Sequence, residues 1–140
     1  MKHVRKSDVF LPNLTQYLNC CTSIYLKINA LLPQNYRDSD SFCWSVEPIA
    51  NLTISIEERY RYTDAIQLKI FWIASTQWLT NFVIQLRMYH DLQIAEVIGY
   101  KTKNKVIDFQ LGDPKSKKNY IVEKKQIHHV LSEFLSLNFQ

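Results

Sequence analysis

The sequence predicts an α+β fold: an N-terminal helix, an antiparallel β-meander of five or six strands, and a C-terminal helix, with both helices on one sheet face. Three observations predict it. Leu11, Leu14, Leu18, Cys21, Tyr25, Ile28 and Leu32 recur at alternating spacings of three and four, the stripe of an amphipathic helix. Several runs between residues 42 and 98 alternate apolar and polar side chains, the period of a half-buried strand. Their connections are too short for helical crossovers, so neighbouring strands pair antiparallel. Helical spacing then returns near the C-terminus, at Ile127, Leu131 and Phe134.

In chain order, residues 1–10 read as a loose polar lead to a single domain over 1–140. Pro12 suits the first turn of the first helix and Pro33 ends it. Residues 34–41 form a polar connection. Phe42, Trp44 and Val46 give the first strand its apolar face, and Leu52, Ile54 and Ile56 the second. Ile66, Leu68, Ile70 and Trp72 follow, then Phe82, Ile84, Leu86 and Met88. A weaker strand runs through Ile107, Phe109 and Leu111. Pro114 and the lysines after it form a loop. Asn119 is the expected N-cap of the last helix, whose stripe uses Tyr120, Ile127, Leu131 and Phe134, with Leu135 beside it. Stacking these layers buries one sheet face and leaves the other to solvent or a partner.

Composition narrows the function. A chain of 140 residues with 46% hydrophobic residues can bury a core without disulfides or metals. No run approaches the ~18 apolar residues of a membrane span. No apolar segment follows the charged residues at the start, so the expectation is a cytoplasmic protein with no membrane association. The three cysteines are odd in number and form no disulfide framework. Gly99 and Gly112 are the only glycines, too few for a Walker loop or a dinucleotide fingerprint, where backbone must closely approach phosphate. There is no C-x-x-C and no H-x-x-x-H, so neither metal nor cofactor is expected. Residues 101–125 hold eight lysines against Asp108, Asp113 and Glu123, a net of +5 within a chain total of +4. Lysine without arginine reads as a solvated loop before it reads as a phosphate-binding patch.

The polar side chains with most chemistry lie on the hairpin Ile84–Val97, which alternates, breaks at His90-Asp91 and alternates again. An even-numbered loop places Gln85, Arg87 and Tyr89 on one face with Leu92, Ile94, Glu96 and Ile98, and Phe71 and Lys69 join them if register holds. Aromatic, aliphatic and arginine side chains together are typical of binding surfaces. Ser45, Glu47, Thr53, Ser55 and Glu57 make the rest of that face polar. Arg87 and Glu96 fall nearly opposite. They form either a surface ion pair of small worth, or an arginine held ready for a carboxylate or phosphate beside Tyr89. His90-Asp91 resembles a base and its orienting carboxylate. Adjacent strand residues point to opposite faces, however, so turn chemistry is the simpler reading.

Over the run Arg87-Met88-Tyr89-His90-Asp91, followed by Ala95-Glu96-Val97, the chain resembles the YqiB-like family of uncharacterised proteobacterial proteins. Leu31-Leu32-Pro33, Leu52-Thr53-Ile54, Arg61-Tyr62-Thr63 and Glu123-Lys124-Lys125-Gln126 extend the resemblance over nearly the whole chain. It departs at Val122, where the family usually has Asp, and at His128, where it tends to have Asn. The resemblance implies a bacterial, cytoplasmic, single-domain protein and brings no activity or catalytic residue with it.

Cys20-Cys21 and His128-His129 are adjacent pairs on helices, about 100° apart, and read as buried cysteines and helix-surface histidines. Cys43 is expected on the open face. Arg59-Tyr60-Arg61-Tyr62 interleaves charge and rings as single-strand binders do, but it follows Glu57-Glu58 and reads as a turn stabilised by stacking. The leading reading is a non-enzymatic binding module. Its surface is Phe71, Arg87, Tyr89, Ile94 and Glu96, and it engages a protein partner or a second copy. The alternative is a ligand sensor or hydrolase at His90 and Asp91. Nucleic-acid binding through residues 101–125 is the weaker one.

Overall fold

The computed structural model describes residues 6–73, 81–110 and 117–140, with side chains from residue 14 in the first helix and from residue 121 in the last. Helix α1 spans Lys6–Leu31 and helix α2 Lys117–Phe134. Between them run β1 (Ser41–Val46), β2 (Ala50–Arg59), β3 (Thr63–Trp72), β4 (Phe82–Tyr89), β5 (Ile94–Lys101) and β6 (Val106–Asp108). They form one sheet in chain order, every neighbour antiparallel. The fold is the α+β meander that the alternating patterns predict.

Alternation decides the layers. Leu52, Ile54 and Ile56 of β2, Ile66, Leu68 and Ile70 of β3, and Ile84, Leu86 and Met88 of β4 are all buried on one face. They share a core with Ile24, Tyr25 and Ile28 of α1 and Ile127, Leu131 and Phe134 of α2. Full burial of each aliphatic side chain contributes about 1.5–3 kcal/mol. Gly99 of β5 lets β6 close in: a Cβ there would stand 2.7 Å from the Ile107 carbonyl oxygen.

The structure corrects the expectations at several points. The polar lead over 1–10 is helical from Lys6, so Pro12 lies in the second turn and not the first. Upstream residues add helix without adding an apolar stripe, which is why the spacing does not reveal them. Leu14 and Leu18 are exposed, whereas Cys21, Tyr25, Ile28 and Leu32 are buried with Ile24. A stripe has the same spacing whether or not anything covers it. The last helix begins at Lys117, placing Asn119 inside it. The side chains of Leu11, Asn119 and Tyr120, and the residues Leu111 and Pro114, lie outside those described. The last strand is Val106–Asp108, and Phe109 falls in the turn after it.

His128 is fully buried, not a surface histidine. Its Nε2 accepts the Val97 N–H at 2.9 Å, and its Nδ1–H donates to the Lys124 carbonyl at 2.6 Å. Beyond the Gln85/Leu86 register shift, β6 pairs only with Gly99, Tyr100 and Lys101. The exposed edge of β5 is therefore satisfied by a side chain of α2 in place of a strand. Burial lowers the His128 pKa to about 4, so the ring is neutral and can accept.

Candidate functional site

Tyr89 pairs with Ile94, leaving a four-residue loop from His90 to Gln93 in which Gln93 takes a left-handed φ of 54°. The even loop places Arg87 opposite Glu96 and Met88 opposite Ala95. Arg87, Tyr89, Ile94 and Glu96 thus share the face opposite Leu86, Met88, Ala95 and Val97, and at the β5 edge the two helices reach round to Ile94 and Glu96. A cavity of about 170 Å³ lies at the β5 edge, between Tyr89, Ile94 and Glu96 and the α1 residues Tyr17, Leu18 and Cys21. Burial pushes the Cys21 thiol up to about 11, so it is not an activated nucleophile.

Arg87 and Glu96 face each other but form no ion pair. Glu96 instead binds the Lys124 ammonium at 2.6 Å and accepts the Tyr17 hydroxyl at 3.4 Å, because α2 brings Lys124 alongside β5. Arg87 has Ala65 on its other side with Glu58 beyond it in the same row, and its charge reaches the Tyr60 hydroxyl that donates to Glu58. Its Nε is buried without a hydrogen-bond partner among the described residues. The neighbouring row, from Gln85, continues toward β1 through Gln67, Ser55 and Ser41, which are polar and uncharged. Phe71 is exposed but stands opposite Asn51, six residues along β3 from Ala65. At strand rise that is about 20 Å from the Arg87 row, so Phe71 belongs to a different part of the face.

His90 turns the other way. Its ring Nε2 lies 2.8 Å from Asp64 Oδ2, and its Nδ1 lies 2.8 Å from the Tyr25 hydroxyl. Asp64 is completely buried and also accepts the Tyr36 hydroxyl and, at 3.2 Å, the Arg59 Nε–H. Arg59 lies over the Tyr36 ring at 4.3 Å and donates to the Tyr36 carbonyl. The arrangement suits the tautomer in which Nε2–H donates to Asp64 and Nδ1 accepts from the Tyr25 hydroxyl. Burial, followed by the Asp64 charge, raises the Tyr25 pKa. Asp91 takes no part: its Oδ1 accepts the next residue's N–H, that of Leu92, at 3.1 Å.

Histidine's carboxylate partner is therefore real but is Asp64. The signal for it lay in the alternation of β3: two residues before Ile66, on the same inner face, stands Asp64. Arg59 reaches that face only because a register shift between Ile56 and Glu58 reverses the alternation of β2. Both ring nitrogens of His90 are engaged by protein groups, so neither is free to take a substrate proton. The network joins α1, the Tyr36 segment and two strand turns.

Elsewhere, Arg61 stacks on Tyr62 at 5.1 Å in the turn after β2. Cys43 is exposed on the open face, and Cys20 is partly buried beside buried Cys21. In the lysine-rich segment, Lys105 pairs with Glu123 at 2.5 Å and Lys124 with Glu96, so two of its charges are offset by carboxylates. Among the described residues, no group of three His, Cys, Asp or Glu side chains could hold a metal, and no helix is long and apolar enough to cross a membrane. A shallow groove of about 460 Å³ lies between the helices, beside Tyr17, Cys20, Val122 and Val130.

The geometry defines an α+β module in which a closed polar network locks one end of the sheet and a partly polar face carries an arginine whose buried Nε has no hydrogen-bond partner among the described residues. Residues 27–140 match the family described as a protein of unknown function, DUF1249, and the chain belongs to that family. No curated protein and no solved structure matches it.

Proposed function

We propose that this chain is a non-enzymatic binding module of the bacterial cytoplasm, within the YqiB-like part of its family. Its open sheet face engages a protein partner. Arg87 receives a carboxylate or phosphate of that partner, Tyr89 and Ile94 supply apolar contact, and Phe71 extends the contact toward the far end of the sheet. The observation that carries this reading is the buried, unpartnered Nε of Arg87. An unmade hydrogen bond at a buried donor costs about 1–3 kcal/mol. An anionic group of the partner at the same guanidinium would offset that cost with charge-assisted hydrogen bonds.

The hydrolase alternative at His90 loses ground because both ring nitrogens are committed. Arg87→Leu removes the unsatisfied donor and keeps apolar contact. It is expected to leave stability unchanged or raise it by about 1 kcal/mol in chemical denaturation. Affinity capture from host lysate tests the binding role directly, with wild type and the Arg87→Ala/Tyr89→Ala double variant as baits and nuclease-treated arms beside untreated ones. A protein held by wild type and lost by the folded double variant is the expected result. Equal retention by both baits contradicts the reading, and retention abolished by nuclease points to the lysines of 101–125.

A further inference from the structure

We infer that the outer edge of β1 pairs with β1 of a second copy, joining two sheets into one across a two-fold axis at Phe42. This does not rest on the role given to Arg87. In β1, Ser45 points both backbone groups away from β2: its N–H donates to the Gln140 carbonyl at 2.9 Å and its carbonyl accepts the Gln140 N–H at 2.8 Å. Antiparallel ladders alternate, so Cys43 and Ser41 point their N–H and C=O groups outward too. Among the described residues these groups have no partner.

The two edges of the sheet are treated differently. The opposite edge strand, β6, is only three residues long, and the part of β5 it leaves uncovered is met at the Val97 N–H by His128. The β1 edge is covered by Gln140 at Ser45, but Ser41 and Cys43 lie beyond that cover, and residues 41–46 (S-F-C-W-S-V) contain no charge, no proline and no glycine. Such an edge is a template for another extended chain. The Gln140 bridge then selects the register. A two-fold axis at Cys43 would set Ser41 against Ser45, whose groups are taken. An axis at Phe42 sets Ser41 against Cys43 of the second copy, and the reverse, and leaves both Gln140 bridges intact. The positive φ of Ser39, 70°, turns the chain away just beyond the paired residues. The two Phe42 rings then meet as a directly opposed pair, where aromatic side chains add to sheet stability.

The test is sedimentation equilibrium of the full chain from micromolar to millimolar concentration, with two variants. Cys43→Pro removes an outward N–H that β2 does not use, a position where an edge strand tolerates proline. Wild type is expected to dimerise with concentration, and Cys43→Pro to weaken the dimer by about tenfold or more while keeping the wild-type circular dichroism. Ser41→Cys in a Cys20→Ser background is expected to give an intermolecular disulfide with Cys43 on mild oxidation, whereas Cys20→Ser alone gives none. A wild type that stays monomeric throughout, or a dimer that Cys43→Pro leaves intact, overturns the inference. If the proline variant does not fold, absence of the disulfide in the Ser41→Cys protein overturns it alone.

Discussion

Asp64→Ala is expected to destabilise the fold by about 3–5 kcal/mol, the scale of breaking a buried charged network by removing one member. Asp64 accepts from His90 Nε2, the Tyr36 hydroxyl and the Arg59 Nε–H, so its loss leaves these three donors without their partner at the sheet end. A domain of this size is stable by only about 5–15 kcal/mol, so the variant stands near the folding threshold. Urea denaturation measures the loss. Asp64→Asn keeps the shape and one acceptor oxygen and is expected to recover part of it. An Asp64→Ala protein as stable as wild type would show that the network is incidental to the fold.

The second large effect is acid sensitivity at His128. Its folded pKa, about 4, lies below the ordinary value of 6.5 because burial disfavours the imidazolium. Above pH 6.5 the ring is neutral in both folded and unfolded chains, and stability does not depend on it. As pH falls from 6.5 toward 4, the unfolded chain binds a proton that the folded chain refuses. Stability then declines by about 1.4 kcal/mol per unit, to a total of about 3 kcal/mol. Lys124, whose carbonyl accepts from the ring and whose charge also faces it, and Glu96 beside them are the nearby charged groups. His128→Gln is expected to be less stable at neutral pH and to lack this decline. The check is the pH profile of the difference between the two proteins. A parallel acid decline in both would assign it to other groups.

How far the sequence carries depends on what each residue's neighbours in the chain can say. The four apolar runs of β1 to β4 identify both the strands and their inward face, because period two is a local property. The hairpin register followed from the same alternation once the loop proved to hold four residues. Long-range partners were not legible. Nothing beside His90 announces Tyr25 or Asp64, which are 65 and 26 residues away. Nothing beside Glu96 announces Lys124. The register shift at Ile56/Glu58 brings Arg59 to the core side, and no composition signal marks it. His128 looked like a surface residue because the need it meets, an unpaired Val97 N–H, arises from where β6 stops. Alternation puts Phe71 and Arg87 on one face, but position along the strand separates them.

The measurement that bears most directly on the central claim is the affinity of the captured partner, once purified, for wild type and for Arg87→Leu. Arg87→Leu should fold at least as stably as wild type and bind at least about tenfold more weakly. A hydrogen bond to a charged group contributes about 1.5–3 kcal/mol, and 1.4 kcal/mol is a factor of ten. A stable Arg87→Leu protein that binds its partner as tightly as wild type would contradict the account.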